Sequence, residues 1–298
     1  MLKILIVSNY NYAAFVEACL SSALNQTSKF DLLLFIDDGS TDDSVRRVES
    51  AFCGFDELRV IKKDNGGQLS CFNAALPYIS DDDLVFFMDA DDVYPPDYVE
   101  TVLGHYHSGD DFTFCNAKTF RPLKGETPPG SCKIGNVSSA VIPCSSSLTR
   151  FTRCWIGSPT SALVVSGRLF RQIFPYPHEQ DWIIRADDVL VFAASLLGFR
   201  KKFLSGVAIG YRIHGHNRFH GKLISKQDTV EWEIKLEKLF GHYCEKYRIS
   251  RTASVLTVLD ERALIDRKLH RGFHIPGRAS IVLAPLRNCL RLLQRLLA

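Results

Sequence analysis

The run Phe86-Phe87-Met88-Asp89-Ala90-Asp91-Asp92 sets carboxylates at positions i, i+2 and i+3 directly behind an apolar stretch. Hard oxygens converging on one point suit Mg²⁺ or Mn²⁺, which bind through one or two carboxylates and share substrate phosphates. A cation so held stabilises a diphosphate as a leaving group. The competing reading is a solvated acidic turn with Asp92 capping the next helix, because Pro95-Pro96-Asp97 reads as a helix start. Further acids stand at Asp37-Asp38-Gly39-Ser40 and Asp187-Asp188, and Arg212-Ile213-His214-Gly215-His216 adds two imidazoles and a guanidinium suited to diphosphate.

The elements that must carry these residues follow from periodicity. Residues 2–7, Phe30 to Ile36, Arg59 to Ile61, Leu84 to Met88 and Phe112 to Cys115 are short apolar runs, predicted as buried strands. Between them lie helical patterns: the stripe Phe15, Val16, Cys19, Leu20, Ala23, Leu24, a helix from about Asp42 capped by Ser40 or Thr41, and a helix over Gln68 to Tyr78. Strands apolar on both faces and alternating with helices imply parallel βαβ units, hence an α/β open sheet through residue 115. Ser8-Asn9, Asp37-Asp38 and Asp89 to Asp92 end three of those strands, and ligands of open parallel sheets bind outside the carboxyl ends. Neither a GxGxxG nor a GxxxxGK[ST] loop is present, which excludes the usual dinucleotide and P-loop phosphate cradles. Residues 121–158, rich in Pro, Gly, Ser and Thr, are expected to form a long loop over the sheet. A strand over Ser161 to Ser166, helices over Gly167 to Phe174 and Asp187 to Leu197, a strand over Phe203 to Tyr211 and a basic helical tail from Lys226 complete the pattern.

Four motifs, in order and at the right spacing, resemble the family 2 glycosyltransferases of the GT-A fold. They are Val7-Ser8-Asn9-Tyr10-Asn11-Tyr12, Asp37-Asp38-Gly39-Ser40-Thr41-Asp42, Asn65-Gly66-Gly67 and Asp89-Ala90-Asp91-Asp92. Gly157 to Ser161, Arg185-Ala186-Asp187-Asp188 and Tyr211 to Asn217 resemble a bacterial subgroup of the same family. The resemblance implies an inverting, metal-dependent transfer of a sugar from a nucleotide-sugar, a UDP-sugar above all, to a hydroxyl of a glycan or lipid-linked acceptor. It implies donor contacts at Ser8, Asn9, Tyr10, Asp38, Asn65, Gly67, Asp89 and Ala90, with Asp38 reading the base. Asp91 is the implied main ligand for Mn²⁺ or Mg²⁺, with Asp89 and His214 beside it. One of Asp187 and Asp188 is the implied general base; the family's usual Glu-Asp is altered here by Ala186, and Asp187 is preferred because Leu190 and Phe192 then face the core. The resemblance divides the chain into a GT-A domain over 1–222, with a nucleotide-sugar half at 1–115 and an acceptor half at 116–222, and a helical C-terminal region over 223–298.

Composition sets the remaining bounds. With 298 residues, 46% apolar, and a net charge of +3, the chain is expected to be globular and gives no electrostatic case for nucleic acid. Nine cysteines without a CxxC pair, no signal-peptide pattern and no apolar run of transmembrane length suit a reducing cytoplasm. In Pro285 to Ala298 a leucine face and an arginine stripe favour a helix docked on the core, and second to that one lying peripherally on the inner face of a membrane. Trp155 and Trp182 are candidate platforms for an acceptor sugar, while His178 and His220 read as surface residues. The rival function is a nucleotide-sugar-binding partner subunit without catalysis, against which the intact acids speak.

Overall fold

A computed structural model describes residues 1–122, 125–215, 217 and 225–268. Among these residues eight strands form one sheet in the order β3-β2-β1-β4-β7-β5-β8-β6. The parallel half comprises β1 (Lys3–Asn9), β2 (Leu32–Asp37), β3 (Leu58–Lys62) and β4 (Leu84–Asp89). β7 (Leu163–Ser166) runs against both β4 and β5 (Phe112–Phe120), β8 (Lys201–Arg212) is parallel to β5, and β6 (Lys133–Ile142) closes the edge antiparallel to β8. The chain moves outward from β1 through β2 to β3 and then returns to β1's other side with β4. That reversal is the switch point at which open sheets of this kind leave a crevice.

Alternation along β1 explains why the sheet is sandwiched. Ile4 and Ile6 enter the core on one face, while Leu5 and Val7 enter the core on the other. The second face is covered by α1 (Val16–Leu24), α2 (Ser44–Ala51) and α4 (Tyr98–Gly104), with Val16, Cys19, Leu20, Ala23 and Leu24 forming the buried stripe predicted for α1. The first face carries α3 (Gln68–Ala75), α5 (Ser146–Thr152), α6 (Gly167–Ile173), α7 (Ala186–Leu196) and α8 (Lys226–Lys246). In α7 every residue except Asp187 is buried, so a helix that is apolar all round lies inside the molecule and presents one acid to the outside. α9 (Val255–Lys268) docks on α5: Glu261 accepts from the amides of Ser147 and Leu148 at 3.2 and 2.8 Å, supplying the orphan donors of that helix start.

Three local expectations change. The 121–158 segment is not a loop: it holds β6 and α5, because β8 runs on to Arg212 and offers a ladder long enough to pair a ten-residue strand. β5 likewise continues from Cys115 to Phe120 after a bulge at Cys115/Asn116. α2 starts at Ser44, and neither Ser40 nor Thr41 caps it. The amphipathic segment 285–298 and His220 lie outside the described residues, and no described helix is long and apolar enough to cross a membrane.

Candidate active site

The polar ends of β1, β2 and β4 open into one cavity of about 740 Å³, whose far wall comes from the α7 entry and from α8. Ser8, Asn9, Tyr10, Asp38, Asn65, Gly67, Asp89, Asp91, Asp187 and Asp188, separated by up to 180 positions, all line it.

At the β1 and β2 ends the side chains hold one another. Asn9 Nδ2 donates to Asp37 Oδ1 at 2.7 Å and to Ser40 Oγ at 3.1 Å, and Asp37 Oδ2 accepts from the Ser40 amide at 3.0 Å. Asp37 thus shapes the turn rather than capping a helix. Asn9 is 1% exposed, and its Oδ1 has no hydrogen-bond partner within the protein, which leaves an acceptor for a ligand at the cavity wall. Asp38 organises the following loop: its carboxylate accepts from Lys63 Nζ at 2.6 Å and from the amides of Gly66 and Gly67 at 2.9 and 2.8 Å. A nucleobase donor would share this carboxylate with that loop. Asn65 Nδ2 closes the turn by donating to the Asp38 carbonyl at 3.0 Å.

At the end of β4 the three acids separate in role. Asp89 Oδ1 accepts from Ser8 Oγ at 3.2 Å and from Gln68 Nε2 at 2.6 Å; burial, and then the charge of Asp91, raise its pKa to about 7. Asp91 Oδ2 lies 2.9 Å from His214 Nε2. Asp92 does not cap the next helix, which begins at Tyr98 behind Asp97. It is 1% exposed and accepts from the Arg212 amide at 2.9 Å and from Ser161 Oγ at 2.6 Å, which makes it a strut between the turn and β8. Ala90 is fully buried with its amide on the Ser8 carbonyl at 3.1 Å, so its methyl packs behind the cavity lining and sets the turn from there. Arg212, the guanidinium expected near a diphosphate, donates from Nε to the Asp91 carbonyl at 2.6 Å and lies over Phe15 and Phe120. His216 lies outside the described residues.

These donors fit a divalent cation. Ligand atoms of Asp89, Asp91 and Asp92 all lie within 4.8 Å of one another. The 2.9 Å between Asp91 Oδ2 and His214 Nε2 matches the separation of neighbouring ligands around an octahedral ion with bonds of about 2.1 Å. The three carboxylates therefore could hold the ion, with Asp92 also accepting from Arg212 and Ser161, and His214 stands beside Asp91 as a further donor.

The α7 entry distinguishes its two acids. Asp188 is 1% exposed, pairs with Arg185 at 2.8 Å and accepts from Trp232 Nε1 at 2.9 Å. Burial raises its pKa, opposed by Arg185 and by the indole N–H of Trp232. Asp187 faces the cavity, and burial, then the neighbouring Asp188 charge, push it to about 8. Arg185, at φ 64, takes the left-handed conformation just before the helix, and its guanidinium lies 5.3 Å over the Trp232 ring. Trp155 reaches the cavity, whereas Trp182 is 1% exposed in the core.

Sequence reasoning missed Gln68, Thr160 and Trp232. Gln68 directly follows the Asn65-Gly66-Gly67 turn and was open to notice; a lone tryptophan on a polar helix carried no signal.

A model of glycosyl transferase family 2 matches residues 4–172. The chain is 28% identical over 241 residues to an uncharacterized glycosyltransferase of Nostoc sp., spanning 77% of this chain and 69% of that one. A 97-residue stretch is 33% identical to the chondroitin synthase of Pasteurella multocida, covering 33% of this chain and 10% of that protein. Among solved structures it is similar to S. aureus TarS in complex with UDP-GlcNAc, with a TM-score of 0.59 at 18% identity, over 90% of this chain and 71% of that one. It is similar also to the mannosyltransferase PcManGT of Pyrobaculum calidifontis in complex with GDP-Man and Mn²⁺, with a TM-score of 0.50 at 16% identity, over 96% of this chain and 79% of that one. At these identities the structural likeness establishes the GT-A fold.

Proposed function

The chain belongs to glycosyl transferase family 2, and on that premise we propose that it moves a sugar, with inversion, from a UDP-sugar to a hydroxyl of a glycan or lipid-linked acceptor. The observation that carries this reading is the placement of Asp187 in the same cavity as Asp89 and Asp91, with its pKa near neutrality while Asp188 is held by Arg185 and Trp232. A base poised near the working pH is what deprotonation of a hydroxyl requires.

Ser8, Asn9, Tyr10, Asp38 and Asn65 would hold the nucleoside, with the unpartnered Asn9 Oδ1 as one acceptor for it. Asp91, Asp89 and His214 would hold Mg²⁺ or Mn²⁺, which when bound offsets the charge of the departing diphosphate. Asp187 takes the proton of the acceptor hydroxyl as its oxygen forms a bond to the anomeric carbon. The carbon–oxygen bond to the diphosphate breaks on the opposite face, so a single displacement inverts the centre. The choice of UDP leans on the likeness to TarS, which was crystallised with UDP-GlcNAc.

Thermal shift with UDP- and GDP-sugars, each with and without Mn²⁺, identifies donor and cation together. Donor hydrolysis or transfer by the wild type, abolished in Asp91→Ala, is the expected result. Metal-dependent binding without any turnover would instead make the chain a nucleotide-sugar-binding partner subunit and overturn the proposal.

A further inference from the structure

Gln68 stands between the two halves of the cavity and touches both. Its Nε2 donates to Asp89 Oδ1 at 2.6 Å and to Thr160 Oγ1 at 3.2 Å. Its Oε1 accepts from the Ala186 amide at 3.0 Å, the first residue of α7 and the one before Asp187. The backbone makes the same connection: the Gln68 amide donates to the Ile183 carbonyl at 2.9 Å. Gly67 beside it has φ 87, and a Cβ there would lie 2.3 Å from Ile183 Cα, so the two loops meet with no room for a side chain.

The residue type is restricted by these contacts. Asp89 demands a donor and Ala186 an acceptor, and a primary amide offers both at one carbon. Glutamate would set a like charge against Asp89, a lysine has no acceptor for the Ala186 amide, and asparagine is shorter by one methylene.

We propose that Gln68 is a positioning residue that fixes the distance between Asp89, on the leaving-group side, and Asp187, on the acceptor side. This rests on the function proposed above. In-line displacement needs base, attacking oxygen and leaving group in register, and a shift of about 1 Å in such a set costs on the order of 100-fold in rate. Gln68 acts through Asp89 and through the start of α7, holding one end of the reaction coordinate against the other.

The test uses the full chain with Gln68→Met, which keeps length and apolar shape but removes the three side-chain hydrogen bonds, and Gln172→Met, the same change at a residue of α6 that does not line the cavity. The readouts are metal-dependent hydrolysis of UDP-GlcNAc, or of whichever UDP- or GDP-sugar the wild type hydrolyses, UDP affinity in Mn²⁺ by calorimetry, and the melting temperature. Gln68→Met should lower kcat by about 10- to 100-fold while donor KM and UDP affinity stay within about threefold. Gln172→Met should change kcat by less than about threefold. A Gln68→Met kcat within about twofold of wild type overturns the role, as does a parallel collapse of kcat, UDP affinity and melting temperature, which would mark a purely structural residue. A wild type that hydrolyses none of these donors overturns the functional reading, and this inference with it; a wild type that turns over beside an unaffected Gln68→Met overturns the inference alone.

Discussion

Trp232 Nε1 and Asp188 Oδ2 lie 2.9 Å apart, joining α8 to the acid pair at the head of α7. Asp188 is further committed to Arg185 at 2.8 Å, so of two adjacent carboxylates one is fastened and one is left to the cavity. Asp188 has its charge matched by the guanidinium in contact with it, whereas at Asp187 burial and the repulsion of Asp188 outweigh the attraction of Arg185.

The two asparagine variants should therefore separate. Asp187→Asn removes the base and is expected to lower kcat by about 10²- to 10⁴-fold with donor affinity unchanged. Asp188→Asn leaves Arg185 without its carboxylate partner, so it should lower the melting temperature as well as the rate. Equal kinetic losses with unchanged stability in both variants would refute this division.

The pH dependence follows from Asp187. A base must be unprotonated, so kcat/KM for donor and acceptor should rise with pH through about 8 and level off above it. Stability of the metal-free protein should move the other way. The folded protein keeps this carboxyl protonated above its unfolded pKa of about 3.9, so the stabilisation tied to that proton is full at low pH and lost as pH rises toward about 8. Melting curves of wild type and Asp187→Asn between those limits check the sign: the variant should show the shallower decline.

The cation site gives a third expectation. Asp91→Ala should abolish Mn²⁺-dependent stabilisation by nucleotide, and His214→Ala should weaken Mn²⁺ affinity by about 10- to 100-fold, the range seen when a residue around a metal is removed. Calorimetric titration of Mn²⁺ in the presence of UDP measures both. An unchanged affinity in His214→Ala would reduce that histidine to a hydrogen-bond partner of Asp91.

Gly67→Ala tests the seam between loops. A side chain at φ 87 costs about 1–3 kcal/mol in backbone strain, and its Cβ would also meet Ile183 Cα at 2.3 Å. The expected result is a lower melting temperature, with loss of activity even below the melting transition, because Gln68 moves with its neighbour. Gly54→Ala, which meets nothing within 4 Å, is the control.

Much of this architecture was legible because the motifs stand at the ends of continuous apolar strands, where position and chemistry agree. The run from Leu84 to Met88 could only be a buried strand, and its acids had to emerge at the crevice. The long strand Lys133–Ile142 was not legible, since its burial pattern is mostly exposed and its existence depends on β8 pairing from far along the chain. Asp92 was misjudged for a related reason: its partners, the Arg212 amide and Ser161, are distant in sequence, and local context offered only a cap. Ala90 was carried along with its motif, though a methyl group inside a tight turn faces the core. Trp232 sits on a helix beyond the residues that the family model matches, where no motif directs attention.

The strut made by Asp92 has a consequence for the catalytic cycle. It binds the turn after β4 to the end of β8, and the backbone pairing of Val93 with Gly210 repeats the tie one residue on. A segment riveted at two successive residues to a distant strand has nothing to reset between turnovers. On the function proposed above, the seat offered by Asp91 would be the same for the arriving donor as for the departing diphosphate, and whatever gives way to let substrates exchange would belong to other walls of the cavity.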